Sequence, residues 1–258
     1  MGASLFPCQG GRKSGSGTLV PPAGQRRFRA ARRSATAGSG WAGAPAAPIP
    51  LRRAEKGTKT MKEIILASSS PRRRELLSII TRRFTVQTSD CDETIAEGTG
   101  PIEAVRELSL RKAAAVWAAL PQKETAAVIG SDTVVYIDGE ILGKPHSREQ
   151  AVAMISRLAG RSHTVCTGVT IITAEETRTF HETTEVHFYP LSPQEVAWYC
   201  SLEEPYDKAG AYGIQAAGAL LVQGLTGDYF NVMGLPVAAL ARHLREMGVT
   251  AALSEQTA

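Results

Sequence analysis

No apolar stretch in this sequence of 258 residues approaches the ~20 that a membrane-crossing helix needs, so a chain spanning a bilayer by helices is excluded. Cysteine is scarce: Cys8, Cys91, Cys166 and Cys200 lie far apart with no CxxC pair. That excludes a disulfide scaffold and a structural zinc site, and it suits a reducing compartment. The histidines form no HExxH or other paired ligand motif, and no serine sits in a GxSxG elbow, which disfavours a serine hydrolase. A Walker loop is missing too, because no Gly-Lys-Ser/Thr follows a glycine-rich segment at the required spacing. What remains is ordinary globular composition, 43% hydrophobic and 21% charged, which argues against wholesale disorder.

Acidic residues are nearly missing from the first sixty positions. That segment holds eight arginines and three lysines against Glu55 alone, a net +10, whereas the other residues hold 18 basic and 24 acidic side chains, a net −6. A basic tail is attached to an acidic body, so the overall +4 says nothing of the nucleic-acid affinity of the folded part. Residues 1–60 are rich in Gly, Ala, Ser, Pro and Arg without a sustained hydrophobic period. They cannot bury enough apolar surface to offset ordering entropy and are expected to be disordered. Three accounts fit them: an organelle transit peptide, a nucleic-acid arm built on Arg26, Arg27, Arg29, Arg32 and Arg33, or translated upstream sequence with the working start at Met61. The abrupt onset of structured pattern at Met61 favours the third.

From residue 61 onward, periodicity alternates between strand and helix. Ile64-Ile65-Leu66-Ala67 is a short apolar run, as in a buried strand. Ser70 and Pro71 open a helix over 71–80, and a longer one covers 101–120 with Ile102, Val105, Leu108 and Val116 along one face. Residues 126–137 read as strand, followed by the hairpin signal Asp138-Gly139. Ser147 with Gln150, and Ser192 with Glu195, are capping boxes for two further helices, separated by two β-rich runs over 163–173 and 178–189. A last helix spans 236–247. The pattern predicts one α/β domain over 61–258 with a mixed sheet flanked by helices.

Within that frame, a few residues break their local rules. Arg72, Arg73 and Arg74 crowd the first turn of a helix, where each cation opposes the macrodipole by ~0.3–1 kcal/mol. They make sense if an anion docks there, held with the serines of Ser68-Ser69-Ser70. Asp132 interrupts an apolar strand, where an unpaired carboxylate is costly; it is a cation ligand, a base, or a plain turn acid. Lys112 lies in the apolar stripe of its helix, and Lys144 follows the hairpin, each able to carry a point charge to a phosphate or simply to be solvated. Glu93, in the acidic Asp90-Cys91-Asp92-Glu93, could share a divalent cation with Asp132 through hard oxygens. These residues together point to a nucleotide or phosphoester enzyme without naming the bond broken.

The blocks Leu66-Ala67-Ser68-Ser69-Ser70-Pro71-Arg72-Arg73, Gly130-Ser131-Asp132-Thr133-Val134-Val135, Gly143-Lys144-Pro145, Gly160-Arg161-Ser162-His163, Asp207-Lys208-Ala209-Gly210-Ala211-Tyr212-Gly213-Ile214-Gln215 and Gly234-Leu235-Pro236 run in order along the chain. Together they resemble the Maf (septum formation) family of nucleotide pyrophosphatases, and residues 1–60 have no counterpart in it. The resemblance implies a Maf / ITPase-like fold of two lobes around a central cleft, often dimeric. It implies cleavage of a nucleoside triphosphate between the α and β phosphates with a divalent cation, Mg2+ or Mn2+. Arg72, Thr133 and Gln215 match the branch that takes dTTP and UTP, with modified pyrimidine triphosphates as further substrates.

By the same resemblance, Asp132 is the proton acceptor, with Lys112 and Lys144 as its catalytic companions. Ser68, Arg72, Arg73, Thr133, Lys208 and Gln215 bind substrate, and Glu93 with Asp132 holds the metal. In that reading Thr133 and Gln215 face the pyrimidine's edge. A cytoplasmic enzyme follows, with no membrane and no specific nucleic-acid partner and with a homodimer as its candidate assembly. The alternative suggested by the family name is a regulatory nucleotide binder that arrests cell division.

Overall fold

A computed structural model describes residues 62–88 and 90–249. The basic extension 1–60, the start at Met61, Ser89 and the tail 250–258 lie outside the described residues. Seven strands form one mixed sheet, with β1 (Glu63–Ala67), β2 (Phe84–Val86), β3 (Ala126–Ile137), β5 (Ser162–Thr173), β6 (Thr177–Phe188) and β7 (Val222–Thr226) in the order β2-β1-β3-β5-β6-β7, and β4 (Glu140–Leu142) pairing with the end of β3. β1 runs parallel to β2 and β3, and the remaining pairs are antiparallel. The parallel strands require crossovers, supplied by α1 (Pro71–Ile80) and α2 (Pro101–Ala119).

The near-continuous apolar runs of β1 and β3 follow from burial on both faces. On one face Ile65, Ala126 and Val128 pack against Ala113 and Val116 of α2. On the other, Ile64, Leu66, Ala127 and Ile129 meet Leu76 and Leu77 of α1 and Leu240 and Leu244 of α6 (Val237–Glu246). The distal halves of the long strands carry a second core. There Val135, Val165 and Val186 pack with Ile155 and Leu158 of α3 (Arg148–Leu158) and Val196 and Tyr199 of α4 (Pro193–Tyr199). The two expected lobes are thus two apolar cores threaded on the same three long strands.

One sequence expectation changed on folding. Ser147 caps α3 through Gln150 N at 3.2 Å, but the Gln150 side chain accepts from His146 N at 2.8 Å rather than from Ser147, so the box closes one residue early. The box at Ser192 and Glu195 closes fully. β7 and the short α5 (Tyr229–Met233) carry too little periodicity to be read in advance.

Close approach of α2 to the sheet depends on glycine. A Cβ on Gly168 would lie 2.2 Å from Val105 O, and one on Gly130 2.3 Å from Ser109 O, both backbone atoms that cannot swing away. Gly168→Ala will therefore push α2 outward and cost about 3 kcal/mol in urea unfolding, an overpacking penalty at the upper end of its range. Gly224→Ala is the control, since a Cβ there meets nothing within 4 Å and its φ is not left-handed. Equal stability of the two variants would refute the close-packing account.

Candidate active site

β3 pairs with β1 only as far as Gly130 and with β4 only from Val135, so residues 131–134 have no strand neighbour on that side. The chain leaving β1 turns there through Ser68-Ser69-Ser70 into α1. A cleft of about 610 Å³ opens at this place, beyond the carboxyl end of β1, as ligand crevices in open α/β sheets do. It is lined by Ser68, Arg72, Arg73, Glu93, Lys112, Asp132, Thr133, Lys144, Lys208 and Gln215, while Arg74 of the same arginine cluster lies outside it. Five cations face three carboxylates around it, so the cleft carries an excess of positive charge.

The wall under α2 holds a charge triad. Lys112 Nζ donates to Asp132 Oδ1 at 2.6 Å and lies 2.9 Å from Glu93 Oε1. The Lys112 and Asp132 side chains are each 12% exposed, against 59% for Glu93, so the inner pair is held in protein and the outer acid in water. The costly carboxylate in an apolar strand is paid for by an ammonium delivered from the close-packed helix. Glu93 and Asp132 are hard oxygen donors of the kind that suits Mg2+ or Mn2+, and in this structure the point they share is held by Lys112 Nζ.

The opposite wall is organised by Arg73. Its Nε donates to Gly234 O at 2.9 Å, Nη1 to Ser68 Oγ at 3.4 Å and Nη2 to Thr133 Oγ1 at 3.0 Å. All three acceptors are neutral, and among the described residues no carboxylate lies within ion-pair distance of it. Burial pulls this guanidinium below its ordinary pKa, and the charge of Asp132 partly restores it. A half-buried arginine tied to three separate segments, with no direct ion-pair partner among the described residues, is able to serve as a fixed anion receptor.

Asp207 escaped sequence reasoning. Arg72 Nη1 reaches its Oδ2 at 2.8 Å and Lys208 Nζ its Oδ1 at 2.6 Å, so one carboxylate spaces two substrate-side cations. Burial opposes ionisation of Asp207, yet Lys208 and Arg72 outweigh it and hold the carboxyl below its ordinary value. Only its place beside Lys208 in a shared block hinted at this. Lys144 and the Gln215 amide, by contrast, have no hydrogen-bond or ionic partner among the described residues and stand ready for a ligand.

The glycine-rich loop behind the site is braced from below. Glu204 accepts from Ala217 N at 3.1 Å and Gly218 N at 3.2 Å. Tyr212, in the cleft wall, bonds His163 Nε2 at 2.7 Å. His163 is 3% exposed, and burial pushes its pKa down from 6.5 to about 4. The folded protein thus holds this histidine neutral while the unfolded chain protonates it, so stability falls as pH drops from about 6.5 toward 4, by about 3 kcal/mol at most. Chemical unfolding at pH 7 and pH 5 should show about 2 kcal/mol of that loss, and His163→Phe should lose less. An equal slope in both would refute the assignment.

A family model described as Maf-like protein matches residues 63–247. A protein named dTTP/UTP pyrophosphatase from Bacillus velezensis is 50% identical over 190 residues, 74% of this chain and 99% of the relative. One of the same name from Symbiobacterium thermophilum is 47% identical over 188 residues, 73% of this chain and 95% of the relative. Among solved structures the Staphylococcus aureus Ham1 protein aligns at 19% identity and TM-score 0.37, covering 49% of this chain and 72% of that one, too slight a likeness to argue from.

Proposed function

The chain belongs to the family of Maf-like proteins, and from that premise we propose that it hydrolyses dTTP and UTP to the monophosphate and pyrophosphate. The observation that carries this reading is the pairing, across one cleft, of the Arg73 anion receptor with the Asp132–Lys112–Glu93 triad. Arg73, with Ser68 and Lys144, holds the polyphosphate, while Arg72 and Lys208, spaced by Asp207, hold its far end. Asp132 takes the proton from the water that attacks the α phosphorus, and pyrophosphate leaves with the electron pair of the broken P–O bond. Lys112 and Lys144 stabilise the charge that develops on the phosphate oxygens. Glu93 and Asp132 would hold Mg2+ or Mn2+, which neutralises phosphate charge when bound.

Thr133 and Gln215 read the pyrimidine. The Gln215 amide offers both a donor and an acceptor, and a site built to hydrogen-bond a base rejects one that leaves its groups unpaired. Among the described residues no helix is long and apolar enough to cross a membrane. Cys166 and Cys200 are buried free thiols, which supports a reducing, cytoplasmic setting. A homodimer is part of the proposal and is checked by sedimentation.

The test is the purified full chain with Mg2+ and a panel of dTTP, UTP, CTP, GTP and 5-substituted pyrimidine triphosphates. Pyrophosphate should appear with dTTP and UTP and fall away when the metal is chelated. Release of orthophosphate instead would overturn the assignment.

A further inference from the structure

Thr167 lies on β5, fully buried and outside the cleft lining, directly across the strand pair from Thr133 of β3. Its hydroxyl donates to the backbone carbonyl of Asn231 at 2.9 Å. It also lies 3.0 Å from the hydroxyl of Thr133, which in turn receives Arg73 Nη2 at 3.0 Å. The hydrogens in this chain can be counted. A threonine hydroxyl has one hydrogen and two lone pairs, a carbonyl can only accept, and a guanidinium can only donate. Thr167 spends its single hydrogen on Asn231 O, so the hydrogen between the two threonines belongs to Thr133. Arg73 occupies one lone pair of Thr133. The single capacity that Thr133 has left for the cleft is its second lone pair, an acceptor.

This count decides what Thr133 can touch. Ionised phosphates are themselves acceptors only, so an acceptor-only hydroxyl does not hold them. On a nucleoside triphosphate the donors are the base N–H groups and the sugar hydroxyls. Uracil and thymine present an N3–H donor where cytosine presents an N3 lone pair. We propose that Thr167 is a positioning residue for specificity: by accepting the hydrogen of Thr133 it fixes that hydroxyl as an acceptor, which welcomes the imide N3–H of uracil and thymine and repels cytosine. The inference rests on the pyrimidine triphosphatase reading and deepens it.

Thr167→Val preserves shape but removes the acceptor, freeing the Thr133 hydroxyl to turn its hydrogen into the cleft. The ratio of kcat/KM for UTP over CTP should then fall by about tenfold or more, with CTP turnover rising, as expected when one buried hydrogen bond changes sign. Thr167→Ser keeps the hydroxyl and should keep the ratio. A merely structural role would lower both substrates together and leave the ratio alone, and that result overturns the proposal. If the valine variant does not fold, wild type supplies the test. N3-methyl-UTP, which lacks the donor, should be a poor substrate like CTP, whereas 3′-deoxy-UTP should be cleaved like UTP. Equal turnover of UTP and N3-methyl-UTP, or selective loss of the 3′-deoxy compound, overturns the imide assignment. Failure of wild type to release pyrophosphate from UTP at all would instead sink the proposed function, so the two failures are distinguishable.

Discussion

Asp132→Asn will lower kcat for pyrophosphate release from UTP by about 10³-fold while leaving the protein folded, within the ~10²–10⁴ that a positioned base contributes. The shape at position 132 is unchanged, and the amide oxygen still accepts from Lys112 Nζ, now 2.6 Å from Asp132 Oδ1. Glu93 remains within 2.9 Å to neutralise the ammonium. What disappears is the capacity to take a proton and, under the proposed function, one charged ligand for a divalent cation. Steady-state kinetics with UTP, beside a thermal melt, checks both halves. Activity within about tenfold of wild type would mean that the proton goes elsewhere.

Arg73→Lys carries the second large effect, although the charge is conserved. The guanidinium fork reaches Gly234 O, Ser68 Oγ and Thr133 Oγ1 at once, three segments that the chain brings together from far apart. An ammonium on a flexible stem cannot reproduce that divergent geometry. We expect a loss of about 2–4 kcal/mol in chemical unfolding, from hydrogen bonds to a charged donor, most of it from the Gly234 and Thr133 contacts. The kcat/KM for UTP should drop by about 10²-fold, chiefly through KM, because the phosphate receptor is no longer held in place. A variant as stable and as active as wild type would show that Arg73 is a solvated helix-end cation.

Much of the architecture was legible beforehand because it is local. The buried strand at Ile64, the helix opened by Ser70 and Pro71 and the turn at Asp138-Gly139 all depend on residues within a few positions of one another. Likewise, the arginines at the head of α1 and the acid inside β3 announced themselves by violating local rules, and Arg72, Arg73 and Asp132 of these line the cleft. The misreadings were local signals settled by neighbours. Gln150 accepts from His146 N instead of closing the box on Ser147. Lys112 was read as a point charge for phosphate or a solvated lysine, and in the fold it pairs with Asp132 and Glu93.

Period, capping chemistry and the cost of isolated charge are properties of short stretches, so the sequence by itself determined the alternating strands and helices, the anion-seeking helix start and the suspicion attached to Asp132. Pairings across long separations leave no such trace. The approach of α2 over Gly168, the sharing of Asp207 by Arg72 and Lys208, and the hydrogen chain from Arg73 through Thr133 and Thr167 to the carbonyl of Asn231 were decided by tertiary structure alone. Each includes a link between distant backbones, as with Thr167 and Asn231, 64 positions apart, or Arg72 and Asp207, 135 apart, and only packing in three dimensions assigns those distances.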